Sequence, residues 1–214
     1  MKMFDDHTDW ITEQEHGRVL ADVIYSPRWR FGQTSDDTIE PNYPCWFQSF
    51  FNPKTWDFIE GTPDIIRVIS SRFLELVPDN YMLVRSMASS NTFGIDGDFH
   101  TDWPHPDVSI TGVLYTDKQW ETNWGGSTMF KLDTDYGASE YVPRKLITFD
   151  SSISHIGCGP QRRCREMRSI IAFQAVQIDA LKERLGDSVK RAAPKQKVVQ
   201  RYDSNADPNI DIVS

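Results

Sequence analysis

The chain has 214 residues, of which 39% are hydrophobic and 12% aromatic, so it is long enough and apolar enough for one folded domain with a substantial core. Its 31 acidic and 23 basic residues give a net charge of −8, which argues against general binding to nucleic acids or anionic membranes. No run approaches the ~20 apolar residues of a membrane span, and the acidic first residues lack the apolar segment of a signal peptide. The three cysteines have no CxxC spacing. We therefore expect no disulfide framework and no structural zinc, but a cytoplasmic protein with reduced thiols.

Three helices are predicted. The first begins at Thr12, because Thr12 and Glu15 have the spacing of a capping box ahead of apolar residues at helical intervals. The second is predicted to have Thr62 as its N-cap, followed by a proline at its first position, and its apolar face continues to Val77. A short third helix is predicted at 176–185.

The segment 25–58 is rich in aromatic residues and is broken by four prolines, which predicts short strands and loops. Its aromatic residues could form a hydrophobic cover over a sheet, or they could form one wall of a substrate pocket. On the second interpretation, Arg30 and Trp46 are candidate substrate-contacting residues.

From Tyr81 onwards, short β-rich runs alternate with turns, which is typical of an all-β sandwich or barrel with the helices packed outside. The runs predicted as strands are 81–87, 97–102, 108–116, 126–132, 145–149, 153–156 and 167–176. Residues 187–214 are polar and lack a period, so we expect a flexible or loosely docked tail.

A histidine and an aspartate in this β region have the spacing of metal ligands. His100 and Asp102 are two residues apart, so in a strand their side chains leave the same face. His155 follows later in a short apolar run and could supply a third ligand from a neighbouring strand. Two histidines and one carboxylate are the ligand set of non-heme Fe(II) oxygenases, although an isolated HxD is more often a surface salt pair.

Arg168 stands at the head of the apolar run Arg168-Ser169-Ile170-Ile171-Ala172-Phe173. Burying a guanidinium in such a strand is costly unless an anion meets it, and its planar fork suits a carboxylate. That carboxylate could belong to a ligand or to another residue of the protein.

These motifs resemble the 2-oxoglutarate- and Fe(II)-dependent dioxygenases, on their prolyl-4-hydroxylase-like branch, over about residues 79–176. The residues that carry the resemblance, in chain order, are His100-Thr101-Asp102, Val113-Leu114-Tyr115-Thr116-Asp117, Trp120, Trp124-Gly125-Gly126-Ser127-Thr128, Lys145-Leu146-Ile147-Thr148-Phe149-Asp150, His155 and Arg168-Ser169.

The resemblance implies a mainly β fold, the double-stranded β-helix or jelly roll, supported by two or three helices. It implies one dioxygenase domain over 1–186, with residues 1–78 as a helical and aromatic cover. It also implies the cofactor Fe(II) and the co-substrates 2-oxoglutarate and O₂, with His100, Asp102 and His155 as metal ligands. Arg168 is then the residue that grips the tail carboxylate of 2-oxoglutarate.

Two further co-substrate contacts are suggested by the same resemblance. Tyr115 is expected to donate its hydroxyl to the tail carboxylate, the alternative being a core aromatic. Asn91 is expected near 2-oxoglutarate, the alternative being a turn residue.

The substrate is less constrained than the reaction. We expect hydroxylation of an unactivated C–H of a small molecule, with hydroxylation of a prolyl or similar protein side chain as the alternative. A non-catalytic jelly-roll binding protein is a third possibility, which the complete ligand set argues against. Arg85 or Arg30 would suit an anionic substrate, although Arg85 could instead form an ion pair on the surface. The Ser- and Gly-rich segment 86–98 is predicted to be a mobile lid.

Overall fold

A computed structural model of the chain describes residues 3–33 and 44–185; the predicted tail 187–214 lies outside these residues. In chain order, the helical segments and strands are β1 Asp5–His7, α1 Glu13–Val19, a π-helix Leu20–Ile24, β2 Arg30–Gln33, β3 Cys45–Ser49, β4 Phe51–Asn52, β5 Asp57–Phe58, α2 Asp64–Leu74, β6 Tyr81–Asn91, β7 Ser109–Tyr115, a 3-10 helix Thr122–Trp124, β8 Thr128–Leu132, β9 Asp135–Ser139, β10 Leu146–Asp150, β11 Ser154–Gly157, β12 Arg168–Gln177 and α3 Ile178–Leu185.

The fold is a jelly roll of antiparallel strands, as predicted. The major sheet has seven strands in the order β1-β10-β7-β12-β6-β3-β2, and a minor sheet has three in the order β11-β8-β9. The short strands β4 and β5 form a separate pair. Strands β1, β2 and β3 come from outside the segment 79–176, so residues of the predicted cover also extend both edges of the sheet.

Alternation along the central strands sends side chains into two cores. On β12, Ile171 and Phe173 face the helices and join a core with Phe73 of α2. Their neighbours Ile170 and Ala172 face the other way and join a core with the minor sheet. The major sheet therefore has helices on one face and a cavity with the minor sheet on the other.

The helix predictions hold with one correction. The capping box of Thr12 and Glu15 is present, and α3 lies where the third helix was predicted. Thr62 as N-cap of α2 is wrong: the hydroxyl of Thr62 donates instead to the carbonyls of Ile59 and Phe50, and Pro63 takes the N-cap position.

Two predictions on the loop before the metal motif are wrong. Residues 97–102 form no strand; only His100 makes a bridge, to His155. Residues 86–91 are not part of a lid, because they belong to β6, which pairs with β12 and β3 over this stretch. Residues 86–91 are mostly polar, but they lie between β12 and β3, which form hydrogen bonds with their backbone amides and carbonyls.

Among the described residues, no helix has both the length and the run of apolar residues needed to cross a membrane. The three cysteines are unpaired.

Candidate active site

The three predicted metal ligands converge on one point of the cavity between the sheets. The backbones of His100 and His155 exchange two hydrogen bonds, of 3.0 and 2.9 Å, which places the two imidazoles side by side. The backbone amide of Asp102 donates to the carbonyl of Ser151 at 2.9 Å. One ligand atom from each of the three side chains lies within 4.8 Å of the others, so the three side chains lie close enough together to share one ion.

Both imidazoles present the same nitrogen to the centre. Nδ1 of His100 lies 2.8 Å from the carbonyl of Asp98, and Nδ1 of His155 lies 3.0 Å from that of Ile153. A carbonyl only accepts, so each Nδ1 carries a proton, and in the neutral form of either ring the lone pair is on Nε2. These Nε2 atoms lie 3.8 and 3.7 Å from the carboxylate oxygens of Asp102. Metal-binding histidines are oriented in this way by their second nitrogen.

The charges of the three side chains also suit a cation. Burial lowers the pKa of His155 to about 4, and the Asp102 carboxylate offsets only part of this, so the ring is neutral at neutral pH. Burial opposes the ionisation of Asp102, but the Arg85 guanidinium and the two imidazoles outweigh it and hold the pKa of this carboxyl well below its usual range. The site therefore offers one carboxylate and at least one neutral imidazole, which are good ligands for a divalent transition metal.

Arg168 lies at another part of the same cavity and is only 2% exposed. Its Nε donates to the carbonyl of Gly126 at 2.7 Å, and its Nη2 donates to Oγ1 of Thr128 at 3.1 Å. A Cβ on Gly157 would lie 3.1 Å from Nη1, so glycine leaves room for the guanidinium there. Among residues 3–33 and 44–185, no carboxylate forms a salt bridge with Arg168, so this buried cation has no direct anionic partner within those ranges.

Tyr115 and Asn91 both lie near Arg168, but of these two only Asn91 lines the cavity. Tyr115 is fully buried and does not line the cavity; its hydroxyl donates to Thr128 at 3.0 Å, and its ring lies 5.9 Å from the guanidinium carbon of Arg168. Asn91 lines the cavity opposite Arg168, and its amide donates to the carbonyl of Ile95 at 3.0 Å, which is a turn contact.

Sequence reasoning missed Thr128 as a site residue. It contacts both Arg168 and Tyr115 and lines the cavity. A signal was available, because Thr128 ends the Gly125-Gly126-Ser127-Thr128 motif. Both glycines have positive φ, 73° and 79°, and the turn they form leads directly into β8.

The candidate substrate residues separate into two groups. Arg85 lines the cavity, where its Nη2 lies 2.6 Å from Oδ1 of Asp102. Arg30 lines a different groove on the protein, and Trp46 packs its ring against Phe31 at 5.2 Å. The structure does not bring Arg30 or Trp46 to the metal ligands; Cys45, next to Trp46 on β3, does line the cavity.

The arrangement of strands around this site is shared with solved structures of 2-oxoglutarate–Fe(II) oxygenases. An oxidoreductase of that family from Burkholderia pseudomallei matches with a TM-score of 0.63 at 10% identity, over 81% of this chain and 85% of that chain. A prolyl hydroxylase from Trichoplax adhaerens, solved with a peptide of hypoxia inducible factor, matches with a TM-score of 0.63 at 17% identity, over 82% and 84%. An α-ketoglutarate-dependent epimerase from nogalamycin biosynthesis matches with a TM-score of 0.57 at 9% identity, over 82% and 78%.

No family model matches the sequence, and a search of curated proteins found no relative. At these low identities the structural matches establish the fold, the double-stranded β-helix, and the reaction has to be argued from the site itself.

Proposed function

We propose that this chain is an Fe(II)- and 2-oxoglutarate-dependent oxygenase that hydroxylates an unactivated C–H of a small molecule. The observation that carries the proposal is the ligand set: two imidazole Nε2 atoms and one carboxylate meet within 4.8 Å inside the cavity that also contains Arg168. In the proposed reaction, one oxygen atom of O₂ enters the substrate as a hydroxyl, and the other enters succinate as 2-oxoglutarate loses CO₂.

The residues present fit the metal. His100, Asp102 and His155 would hold Fe(II), and a face of three protein ligands leaves positions open for other molecules. Fe(II), together with 2-oxoglutarate and O₂, supplies the oxidising chemistry, and the protein supplies binding, orientation and a dry cavity.

Arg168 and Thr128 are proposed to bind the tail carboxylate of 2-oxoglutarate. A buried guanidinium without a carboxylate partner is costly, and a dianionic co-substrate would remove that cost on binding. Tyr115 then acts through these two residues, because its hydroxyl contacts Thr128 and its ring contacts Arg168. Val113, Ile170 and Ala172 give the cavity apolar walls, which help to exclude water.

The class of substrate is a proposal within this reaction. A small molecule is supported by the match to the epimerase from nogalamycin biosynthesis. The alternative is a prolyl or other protein side chain, supported by the match to the Trichoplax adhaerens enzyme. Among the predicted substrate residues, Arg85 lines the cavity. Its guanidinium is paired with Asp102, so an anionic group of the substrate would have to share it with that carboxylate.

A turnover screen tests the proposal. Protein loaded with Fe(II) and 2-oxoglutarate is offered candidate small molecules and prolyl peptides in air, and succinate release is measured. We expect release that one substrate class stimulates, that stops without O₂ and that His155→Ala abolishes. Succinate release no greater than that of His155→Ala with every candidate, despite bound Fe(II), would favour the non-catalytic binding protein instead.

A further inference from the structure

Three side chains that lie side by side on one face of the major sheet all contact Asp102. Gln174 of β12 is paired with Arg85 of β6 on one side and with Thr111 of β7 on the other, so the three side chains share a face. Arg85 Nη2 lies 2.6 Å from Oδ1 of Asp102, and Thr111 Oγ1 lies 2.7 Å from Oδ2. Gln174 Nε2 donates to the main-chain carbonyl of Asp102 at 3.1 Å.

This support matters because Asp102 belongs to no strand. Its position relative to His100 and His155 is therefore not set by a β-ladder. Instead, each of its two carboxylate oxygens has a different partner on a rigid strand of the sheet, Arg85 on one side and Thr111 on the other. Two partners on separate oxygens fix the rotation of the carboxylate plane, which a single contact would leave free.

The hydroxyls behind Thr111 form a hydrogen-bond chain whose direction is fixed at the end that meets Asp102. The carboxylate only accepts, so Thr111 donates to it and must accept from Ser151, 2.8 Å away. Ser109 accepts from Gln174 at 3.2 Å, and its one hydroxyl hydrogen has two acceptors within reach, Oγ of Ser151 at 2.8 Å and the carbonyl of Ala175 at 3.1 Å. When Ser109 donates to the nearer of these, Ser151, the order of donation is Gln174, Ser109, Ser151, Thr111, Asp102. Aligned hydrogen bonds in a buried setting strengthen one another, and all four donors in this chain are buried.

We infer that this hydroxyl relay, which starts at Gln174 and ends on the Asp102 carboxylate through Thr111, is the positioning device for the carboxylate metal ligand. Gln174 contacts Asp102 directly and also begins the relay. One of its amide hydrogens is donated to the main-chain carbonyl of Asp102, and the other is donated to Ser109. Thr111, Ser151, Ser109 and Gln174 are thus positioning residues that act through Asp102. The inference rests on the proposed metal site.

The test measures metal binding rather than turnover. Co(II) is titrated into metal-free protein, and its visible absorption spectrum reports both affinity and ligand geometry. Thr111→Val keeps the shape of the side chain but removes the hydroxyl, and we expect about a 10-fold or larger loss of Co(II) affinity, as for other partners that orient a ligand, together with a changed spectrum. Thr111→Ser keeps the hydroxyl and should restore both.

Two more variants complete the design. Ser151→Ala breaks the relay one step from Asp102 and should give a smaller loss in the same direction, which keeps the test usable if Thr111→Val folds poorly. Thr148→Val is the matched control, because the Thr148 hydroxyl also forms a side-chain hydrogen bond within the major sheet, with Nε2 of His7 at 3.1 Å, but Thr148 does not line the cavity. Its Co(II) affinity and spectrum should equal those of the wild type.

The outcomes separate the two proposals. A wild type that binds Co(II), with Thr111→Val and Ser151→Ala indistinguishable from it, would overturn the relay and leave the proposed metal site standing. A wild type that binds no Co(II) would overturn the proposed metal site and the relay with it.

Discussion

Replacing Arg85 by methionine removes the cation that balances Asp102 when no metal is bound. The Asp102 side chain is 4% exposed and that of Arg85 33%. Removing one partner of a buried ion pair typically costs about 3–5 kcal/mol, and the partial exposure of Arg85 places the expected cost near the lower end. Protonation of Asp102 sets an upper bound, because moving a carboxyl from its ordinary pKa of 3.8 to neutrality at pH 7 costs about 4 kcal/mol. For a chain of this size, a loss of about 3 kcal/mol lowers Tm by about 6–12 °C.

The assay is thermal unfolding of Arg85→Met with EDTA and with saturating Co(II) or Mn(II). A divalent cation on Asp102 replaces the lost charge, so we expect the deficit of the variant to shrink strongly in the metal-bound protein. Arg72→Met is the matched control: the Arg72 side chain is also 33% exposed and forms an ion pair with Glu15, which lies outside the cavity. Its deficit should be the same with and without metal. An Arg85→Met deficit that metal leaves unchanged would refute the idea that Arg85 stands in for the cation.

Three further perturbations test other parts of the argument. Burial raises the pKa of Asp117 from 3.8 to about 6, so the folded protein holds this proton more tightly than the unfolded chain, and the resulting stability is present below about pH 4 and lost as pH rises through about 6. Urea unfolding at pH 4 and 7 should therefore show wild type losing up to about 3 kcal/mol relative to Asp117→Asn, and equal pH slopes would contradict this. Gly112→Ala would place a Cβ 2.7 Å from the ring of buried Phe73 and should cost about 1–3 kcal/mol of unfolding free energy, whereas Gly17→Ala, in open space on α1, should gain about 0.5–1 kcal/mol; a neutral Gly112→Ala would show that the ring can move. Arg168→Ala should raise the KM for 2-oxoglutarate about 30-fold or more, since truncating one partner of a buried charged pair costs about 2 kcal/mol or more, and an unchanged KM would assign the tail carboxylate to another residue.

The metal ligands could be predicted from the sequence because their signal is local. His100 and Asp102 are separated by one residue, and their ligand atoms lie close together in the folded chain. The strand geometry expected for this pair is wrong, because residues 97–102 form no strand. The two imidazoles are brought together by the backbone bridge between His100 and His155. Asp102 is held by contacts to its carboxylate and to its main-chain carbonyl.

The supports of Asp102 could not be predicted, because they come from distant parts of the chain. Arg85 precedes Asp102 by 17 positions, and Gln174 follows it 72 positions later. The sequence left Arg85 open between a substrate contact and a surface ion pair; the structure shows a third arrangement, an ion pair with a metal ligand inside the cavity. Only the register of β6, β12 and β7 makes these residues neighbours.

Strand β12 shows why hydrophobicity alone hides such a site. Its residues from Arg168 to Gln174 are all buried, on both faces of the sheet. The apolar run Ile170-Ile171-Ala172-Phe173 within it therefore lacks polar alternation and does not reveal which face lines the cavity. Arg168 and Gln174 are six residues apart, an even number, so both point to the cavity side, about 20 Å from each other along the strand. One end of the strand thus presents the proposed co-substrate anchor, and the other end starts the relay to the metal ligand. Because both functions depend on the same strand, a one-residue slip of β12 against β6 would turn Arg168 and Gln174 away from the cavity together, which links the proposed co-substrate and metal sites through a single register.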